Sequence, residues 1–325
     1  MRQTIRTSPA IRVTAPARLH LGFLDLNGDI GRRFGSIGLA VDQPSTTLTL
    51  RRSEKNEAKG AESKRALALV NKYARPDRGA HYAIDVENAI PAHAGLGSGT
   101  QLALAVGAAI AEIEGGTLQA EDLAALGDRG ARSGIGLAAF AGGGFIVDGG
   151  KGKDPGVPPP VTLRCDFPED WRVLLILDSR ETGVSGEAEL TAFADLPEFP
   201  QVAAAHICHL VLMRLVPGLK ECDIAAFGAA ITEIQAIVGG YFATKQGGSP
   251  WTSPAVGQIA NRLRQQGATG IGQSSWGPTG FAFVDSQAAA ERLYHSSIED
   301  AKAVGINILI AQGRNTGARI ESIKP

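Results

Sequence analysis

The chain has 325 residues, 44% of them hydrophobic, and its 32 Lys and Arg nearly balance 33 Asp and Glu, for a formal net charge of −1. That length and apolar content predict two lobes, and a near-neutral chain without a basic run disfavours nucleic acid and anionic membranes as main partners. Cys165, Cys208 and Cys222 close no disulfide framework, no apolar run of about 18 residues predicts a membrane span, and MRQTIRTSPAIRV lacks the apolar core of a secretory signal, so cytoplasmic residence is expected.

In chain order, Ile11–Thr14 and Ser45–Leu50 alternate polar with β-forming apolar residues and predict strands flanking the Gly-rich connection GDIGRRFGSIG. Ser63–Tyr73 predicts a helix and His81–Val86 a strand. The segment PAHAGLGSGTQ, Pro91–Gln101, then leads into the Ala-rich helix Leu102–Ile113, which is expected to begin near Gly99–Gln101. A short helix at Gln119–Asp128 precedes a second Gly-rich stretch, Arg129–Gly150. The Pro- and Gly-rich KGKDPGVPPP, Lys151–Pro160, is the best boundary, dividing the chain into lobes 1–160 and 161–325. Beyond it come strands Val161–Cys165 and Arg172–Asp178, then helices Gln201–Leu215, Ile224–Val238 and Pro254–Gln266. Strand Gly280–Val284, helix Ser286–Ser296 and strand Ile306–Ala311 end the series. Strands interleaved with helices, without a regular βαβ repeat, point to α+β architecture with helices on largely antiparallel sheets.

Gly95, Gly97 and Gly99 just before a long helix predict a phosphate cradle formed by Gly95, Leu96, Gly97, Ser98, Gly99 and Thr100. The first-turn amides of a helix have no internal acceptor, the dipole is positive there, and glycine lets an anion approach the main chain. Ser98 and Thr100 add hydroxyl donors. The competing reading is a capping turn that binds nothing. No Lys follows the glycines and the spacing is not GxGxxG, so neither the nucleotide P-loop nor the dinucleotide fingerprint is present.

PARLHLG (Pro16–Gly22), PAHAGLGSGTQ and GQSSWGPTG (Gly272–Gly280) resemble, in order and rough spacing, the three motifs of the GHMP kinase superfamily. The resemblance implies a lobe like ribosomal protein S5 domain 2, followed by a ferredoxin-like lobe. Some of these kinases carry a catalytic aspartate in SGID; here Ser133, Gly134 and Ile135 are followed by Gly136, so a kinase reading loses its general base unless Asp25 or Asp148 substitutes. The run Ala17–Asp42, with RGARSGIGLAAFAGGG and GQSSWGPTGFAF, resembles the β-ribofuranosylaminobenzene 5′-phosphate synthase family, the non-kinase branch. That resemblance implies condensation of phosphoribosyl pyrophosphate with 4-aminobenzoate or 4-hydroxybenzoate in methanopterin biosynthesis, releasing pyrophosphate and carbon dioxide. Mg²⁺ is expected as a cofactor and ATP is not. The usual phosphoribosyltransferase signature is not visible, so the donor would use the GHMP loop. An ATP-dependent small-molecule kinase is the first alternative and a binding module without catalysis the second.

Within this frame Arg18 and His20, at the close of the first strand, are the leading catalytic candidates, with Asp25 as a metal or hydroxyl ligand. Arg32 and Arg132 are expected to contact phosphate, and Arg33 shares the Arg32 loop. Gln273, Ser274 and Ser275 are expected to donate to a carboxylate or phosphate, and Trp276 to stack on the arene. Each has a structural competitor: surface ion pairs for Arg18 and Arg132, solvation for Arg32 and Arg33, packing for His20 and Trp276, and turn formation for Asp25 and the Gly/Ser loop. His206, Cys208 and His209 lie on an apolar helix without further ligands at zinc spacing, so no metal site is expected there. Leu210, Val211, Met213 and Leu215 read as core, with a homodimer contact as second choice.

Overall fold

The computed structural model describes residues 9–74, 80–116, 133–154, 156–183 and 187–323, so the expected helix Gln119–Asp128 and Arg132 lie outside the described residues. The first two expected strands are fragments of much longer ones, β1 (Ala10–Asp25) and β2 (Phe34–Arg52). Val13, Ala15, Ala17, Leu19 and Leu21 are all 0% exposed; a register shift at Pro16/Ala17 divides them, so Val13 and Ala15 enter the core under the helices and Ala17, Leu19 and Leu21 the core shared with the second lobe. The pair runs antiparallel from Ile11↔Leu50 to Asp25↔Phe34, so the GSIG half of the Gly-rich connection is strand rather than loop. A register shift between His20 and Gly22 breaks the alternation, and His20, Leu21, Gly22 and Phe23 are buried in succession.

β1 and β2 form the centre of a seven-stranded sheet with β3 (Glu57–Gly60), β4 (Tyr82–Asn88), β5 (Phe145–Asp148), β6 (Val161–Cys165) and, returning from the chain end, β11 (Arg319–Ile323). Among the described residues only β3 and β4 pair in parallel. Helices α1 (Ser63–Tyr73) and α2 (Ser98–Ile113) cover one face, where Leu102, Leu104, Val106 and Ala109 meet Ile11, Val13, Leu48 and Leu50. The short α3 (Ile135–Gly142) packs Ile135 and Ala139 on Ala40 and Ile146. Lys151–Pro160 therefore joins β5 to β6, two neighbours in one sheet, and a division at residue 160 cuts through that sheet; the chain leaves it after Cys165.

The second lobe is built on β7 (Arg172–Leu177), β8 (Thr269–Gln273), β9 (Gly280–Val284) and β10 (Asn307–Gln312), antiparallel in the order β10-β7-β9-β8. With helices between β7 and β8 and between β9 and β10, this is the ferredoxin-like arrangement. Its alternation makes the sheet a middle layer. Val173, Leu175, Phe281 and Phe283 face the inter-lobe core, whereas Leu174, Ile176, Ala282 and Val284 meet α7 (Pro254–Gln265) and α8 (Gln287–Ala303). The inter-lobe core also takes Leu19 and Leu21 of β1, Ile207 and Leu215 of α5 (Gln201–Lys220), and Ile231 and Ile234 of α6 (Ile224–Phe242).

α5 runs past the expected end at Leu215 because a π turn at Val211–Leu215 precedes Pro217, loosening the backbone where proline brings no N–H. Of the expected core stripe, Leu210, Val211 and Leu215 are buried, but Met213 is 67% exposed. Against the sequence expectation, Gln201–Lys220 and Ile224–Lys245 are long and apolar enough to cross a membrane, at mean hydropathy 1.6 and 1.3; here one side of each helix lies in the inter-lobe core. Ser286, expected as the first residue of a helix, is its cap, and its side chain accepts from Ala289 N–H. The short β3, β8 and β11, and α4 (Glu187–Ala194), carried too little periodicity to be expected from the sequence.

Candidate functional site

The start of α2 is uncapped. Gly97 precedes its first turn with φ +81°, no side chain caps it, and Gln101 N–H makes the first intrahelical bond, to Gly97 O at 3.0 Å. The amides of Ser98, Gly99 and Thr100 thus lead out of the helix end without intrahelical acceptors, on partly exposed residues. Leu96 is fully buried and anchors the loop. Arg18 joins its side: its backbone N–H donates to Leu96 O at 3.1 Å and its Nη1 to Gly95 O at 2.6 Å. The result is a half-buried guanidinium beside a positive helix pole, an arrangement suited to an anion.

The third Gly/Ser stretch supports this loop from behind. Ser274 is 0% exposed; its Oγ donates to Gly95 O at 2.7 Å and accepts from His20 N–H at 3.0 Å. Three glycines interlock there. A Cβ on Gly95 would lie 2.3 Å from Ser274 O, one on Gly277 2.5 Å from the Ala94 carbonyl, and one on Gly183 2.7 Å from Gly277 Cα. Gly183 N–H also donates to His93 O at 2.9 Å. Gly183, a single glycine with no motif spacing, was not legible as a site residue.

This packing corrects several expected substrate contacts. Gln273 is 7% exposed and internally bonded: its side chain accepts from Thr252 N–H and donates to Gln246 Oε1 and to Ser275 O. Trp276 is 1% exposed, stacked on Phe242 at 4.2 Å with Phe193 edge-on, so it anchors the wall and does not present a face to an arene. Ser275 adopts φ +57° and borders a cavity between the lobes. Ser274→Ala leaves His20 N–H and Gly95 O without their shared partner. The expected loss is about 1–3 kcal/mol of stability with weakened anion binding, checked by urea denaturation and phosphate titration; wild-type values in both would contradict the pinning role.

His20 is 3% exposed, its ring lies 4.3 Å from Phe23, and neither ring nitrogen has a hydrogen-bond partner among the described residues. Burial, reinforced by the Arg18 charge, lowers its pKa to about 3, so the imidazole is neutral in the folded chain. An unfolded histidine binds a proton below about pH 6.5. The neutral form's contribution is therefore complete above that value and is lost as pH falls toward 3. The slope from this residue approaches about 1.4 kcal/mol per pH unit in that window. His20→Gln should flatten the fall in stability between pH 6.5 and 4.5, measured by urea melts; an unchanged slope would contradict a neutral buried His20.

The remaining candidates have structural partners. Asp25 Oδ1 accepts from Asn27 N–H at 2.7 Å and Gly28 N–H at 2.9 Å, a turn-forming role. Arg32 Nε and Nη2 donate to Gly149 O and Gly150 O at 2.5 and 2.6 Å, which ties its guanidinium to the turn after β5; Arg33 bonds Leu26 O and lies over Phe34. Asp148 is fully buried and accepts from the backbone N–H groups of Ser36, Gly134 and Gly150 and from Ser133 Oγ. Burial raises its pKa, and the four donors oppose that rise. It is a structural bracket and not a free base. His206 pairs with Glu233 at 2.7 Å on the surface.

Gly136 lies at the pole itself, since a Cβ there would stand 3.2 Å from Thr100 Cγ2, while its carbonyl accepts from Gln101 Nε2 at 2.8 Å. At this position no side chain faces the helix end.

Family models agree with this geometry: the GHMP kinases N terminal domain matches residues 62–144 and the GHMP kinases C terminal domain matches residues 215–297. The chain is 32% identical to the beta-ribofuranosylphenol 5′-phosphate synthase of Methanothermobacter thermautotrophicus, over 94% of this chain and 97% of that one. It is 35% identical to the protein of the same name from Methanocaldococcus jannaschii, over 95% and 99%. Among solved structures, homoserine kinase from Cytophaga hutchinsonii superposes with TM-score 0.67 at 20% identity over 99% of both chains. Mevalonate diphosphate decarboxylase from Staphylococcus aureus gives 0.66 at 16% identity, over 97% of this chain and 98% of that one. Those two likenesses establish the fold alone.

Proposed function

The chain belongs to the β-ribofuranosylphenol 5′-phosphate synthase family of the GHMP superfamily, and from that premise we propose that it joins phosphoribosyl pyrophosphate to a para-substituted benzoate, 4-hydroxybenzoate or 4-aminobenzoate. The bond from ribose C1 to the diphosphate oxygen breaks, and the ring carbon bearing the carboxylate bonds to C1. The carboxylate then leaves as carbon dioxide, its bonding electrons restoring the aromatic ring. Atoms balance without an oxidant, and the step requires no deprotonated alcohol.

The observation that carries this reading is an open helix pole with no carboxylate on it among the described residues. Ser98, Gly99 and Thr100 amides, with Arg18 alongside, suit a diphosphate whose charge grows as it departs. Gly136 offers no base for the alcohol activation a kinase needs. Mg²⁺ is part of the proposal and, when bound, neutralises the leaving group. The diphosphate and water can supply its oxygen ligands; among the described residues no group of three or more His, Cys, Asp and Glu is placed to hold a metal ion. Cytosolic residence and a homodimer complete the reading, with exposed Val202, Leu212 and Met213 as apolar surface for a second copy.

The test is incubation with phosphoribosyl pyrophosphate, Mg²⁺ and either benzoate in the absence of ATP. Release of carbon dioxide with formation of an aryl riboside phosphate is expected. Phosphorylated product appearing only with ATP would overturn the reading.

A further inference from the structure

Among the described residues the four most exposed large apolar side chains are Ile30 at 81%, Val202 at 80%, Leu212 at 68% and Met213 at 67%. All four belong to one patch. Three stand on α5, and Ile30 sits in the loop after β1, which is tied to the start of α5 where Asn27 donates to Phe199 O at 2.6 Å and Gln201 to Asp29. At 3.6 residues per turn, Val202, Ala205, His209, Leu212, Met213 and Val216 fall within about 60° of one line along the helix. The first five are exposed and Val216 is half-buried. Beside them α6 shows solvent mainly small residues, Ala225, Ala236 and Gly240, and its Glu233 is engaged by His206 at 2.7 Å. A contiguous exposed apolar patch of this kind marks a contact surface.

We propose that this face of α5 pairs with the same face of a second copy of the chain, the two helices antiparallel about a two-fold axis at His209. The proposal gives the homodimer of the reading above its interface and does not depend on the transfer chemistry. The face is symmetric about His209: Val202 falls opposite Val216 of the second copy, Ala205 opposite Met213 and His206 opposite Leu212, so long side chains meet short or flat ones. The charges select this direction. Glu198 lies eleven residues before His209 and Lys220 eleven after it, and both are exposed. Antiparallel pairing brings each Lys220 to the second copy's Glu198 and Asp29, whereas parallel pairing would set Lys220 on Lys220 and Glu198 on Glu198. A second copy suits the face better than a lipid surface, which favours cations along the whole polar edge of a helix; here Arg214 and Lys220 stand toward one end, and Asp29 and Glu198 at the other.

Analytical ultracentrifugation of the full chain over a dilution series tests the proposal. Wild type should sediment as a dimer, and Met213→Glu, which enters the interface twice, should weaken the dimer by about 100-fold or more with an unchanged circular dichroism spectrum. Lys220→Glu should weaken it by about 10-fold, and combining it with Glu198→Lys should restore the affinity to within about 3-fold. Cross-linking reads the axis directly. In a Cys208→Ser, Cys222→Ser background, His209→Cys should join two chains through a short bismaleimide, because a residue on the axis meets its own copy. Val202→Cys should not, lying about 21 Å along the helix from its copy at 1.5 Å per residue. A wild-type monomer would overturn the interface and the homodimer together. A dimer that survives Met213→Glu, or that cross-links through Val202→Cys and not His209→Cys, would overturn this interface and keep the homodimer. A monomer that pellets with phosphatidylglycerol vesicles, and ceases to do so in Met213→Glu, would overturn it in favour of a lipid surface.

Discussion

Gly97→Val should weaken donor binding by at least about 100-fold, equivalent to about 2.7 kcal/mol, with the fold retained. Gly97 sits at φ +81°, where a β-branched residue is strained, and an added Cβ would come 3.1 Å from Arg18 Cγ and 3.3 Å from its Nε. Both effects act on one spot. The backbone that aims the Ser98 and Gly99 amides must rotate to relieve strain of about 1–3 kcal/mol, and the guanidinium must leave Gly95 O to make room. Gly97→Ala meets the same dihedral but only the near end of a flexible side chain, so its loss should be smaller. Calorimetry with phosphoribosyl pyrophosphate or pyrophosphate measures the effect, and thermal melting verifies the fold. Unchanged affinity in the valine variant would retire the cradle.

Asp148→Ala should destabilise the protein by at least about 3 kcal/mol, since three buried N–H groups lose their acceptor at about 1–3 kcal/mol each before relaxation. One carboxylate ties the start of β2 through Ser36, the turn after β5 through Gly150, and the start of α3 through Ser133 and Gly134. α3 in turn carries Gly136, whose carbonyl receives Gln101 of α2. Loss of the bracket should therefore reach the cradle as well as the fold. Chemical denaturation gives the stability, and the KM for the donor reports the transmitted part. A variant as stable as wild type would show that water or a shifted neighbour replaces the carboxylate.

Much of the fold was legible where periodicity was strong. Ser63–Tyr73, Val161–Cys165 and Gly280–Val284 were expected with the bounds they have, because alternation or helical spacing persisted to a clear stop. β8, TGIGQ, was not, since two glycines in five positions remove the alternation. The lobe boundary was misplaced for a different reason. Lys151–Pro160 has linker composition, yet it joins β5 to β6 in one sheet, and pairing between distant segments leaves no local mark.

At the site, the glycine loop leading into an uncapped helix was legible because glycines before an apolar helix have a direct physical reading. The role of the third stretch was not. Gln273, Ser274 and Trp276 have the side chains of a binding loop, but burial turns them to support, with Ser274 holding Gly95 and Trp276 filling the wall behind it. The backbone partners of Arg32 and Asp25 were not legible because a guanidinium and a carboxylate serve backbone groups as readily as ligands. His20 was picked by position, and only the fold shows it neutral, buried and facing a cavity.

The most direct measurement is amide chemical-shift mapping of the selectively labelled protein titrated with phosphoribosyl pyrophosphate. Saturable shifts concentrated on the Ser98, Gly99 and Thr100 amides, abolished in Gly97→Val, are the expected result. Saturable shifts centred on other segments, with these three amides unmoved, would contradict the claim that the open end of α2 holds the departing diphosphate.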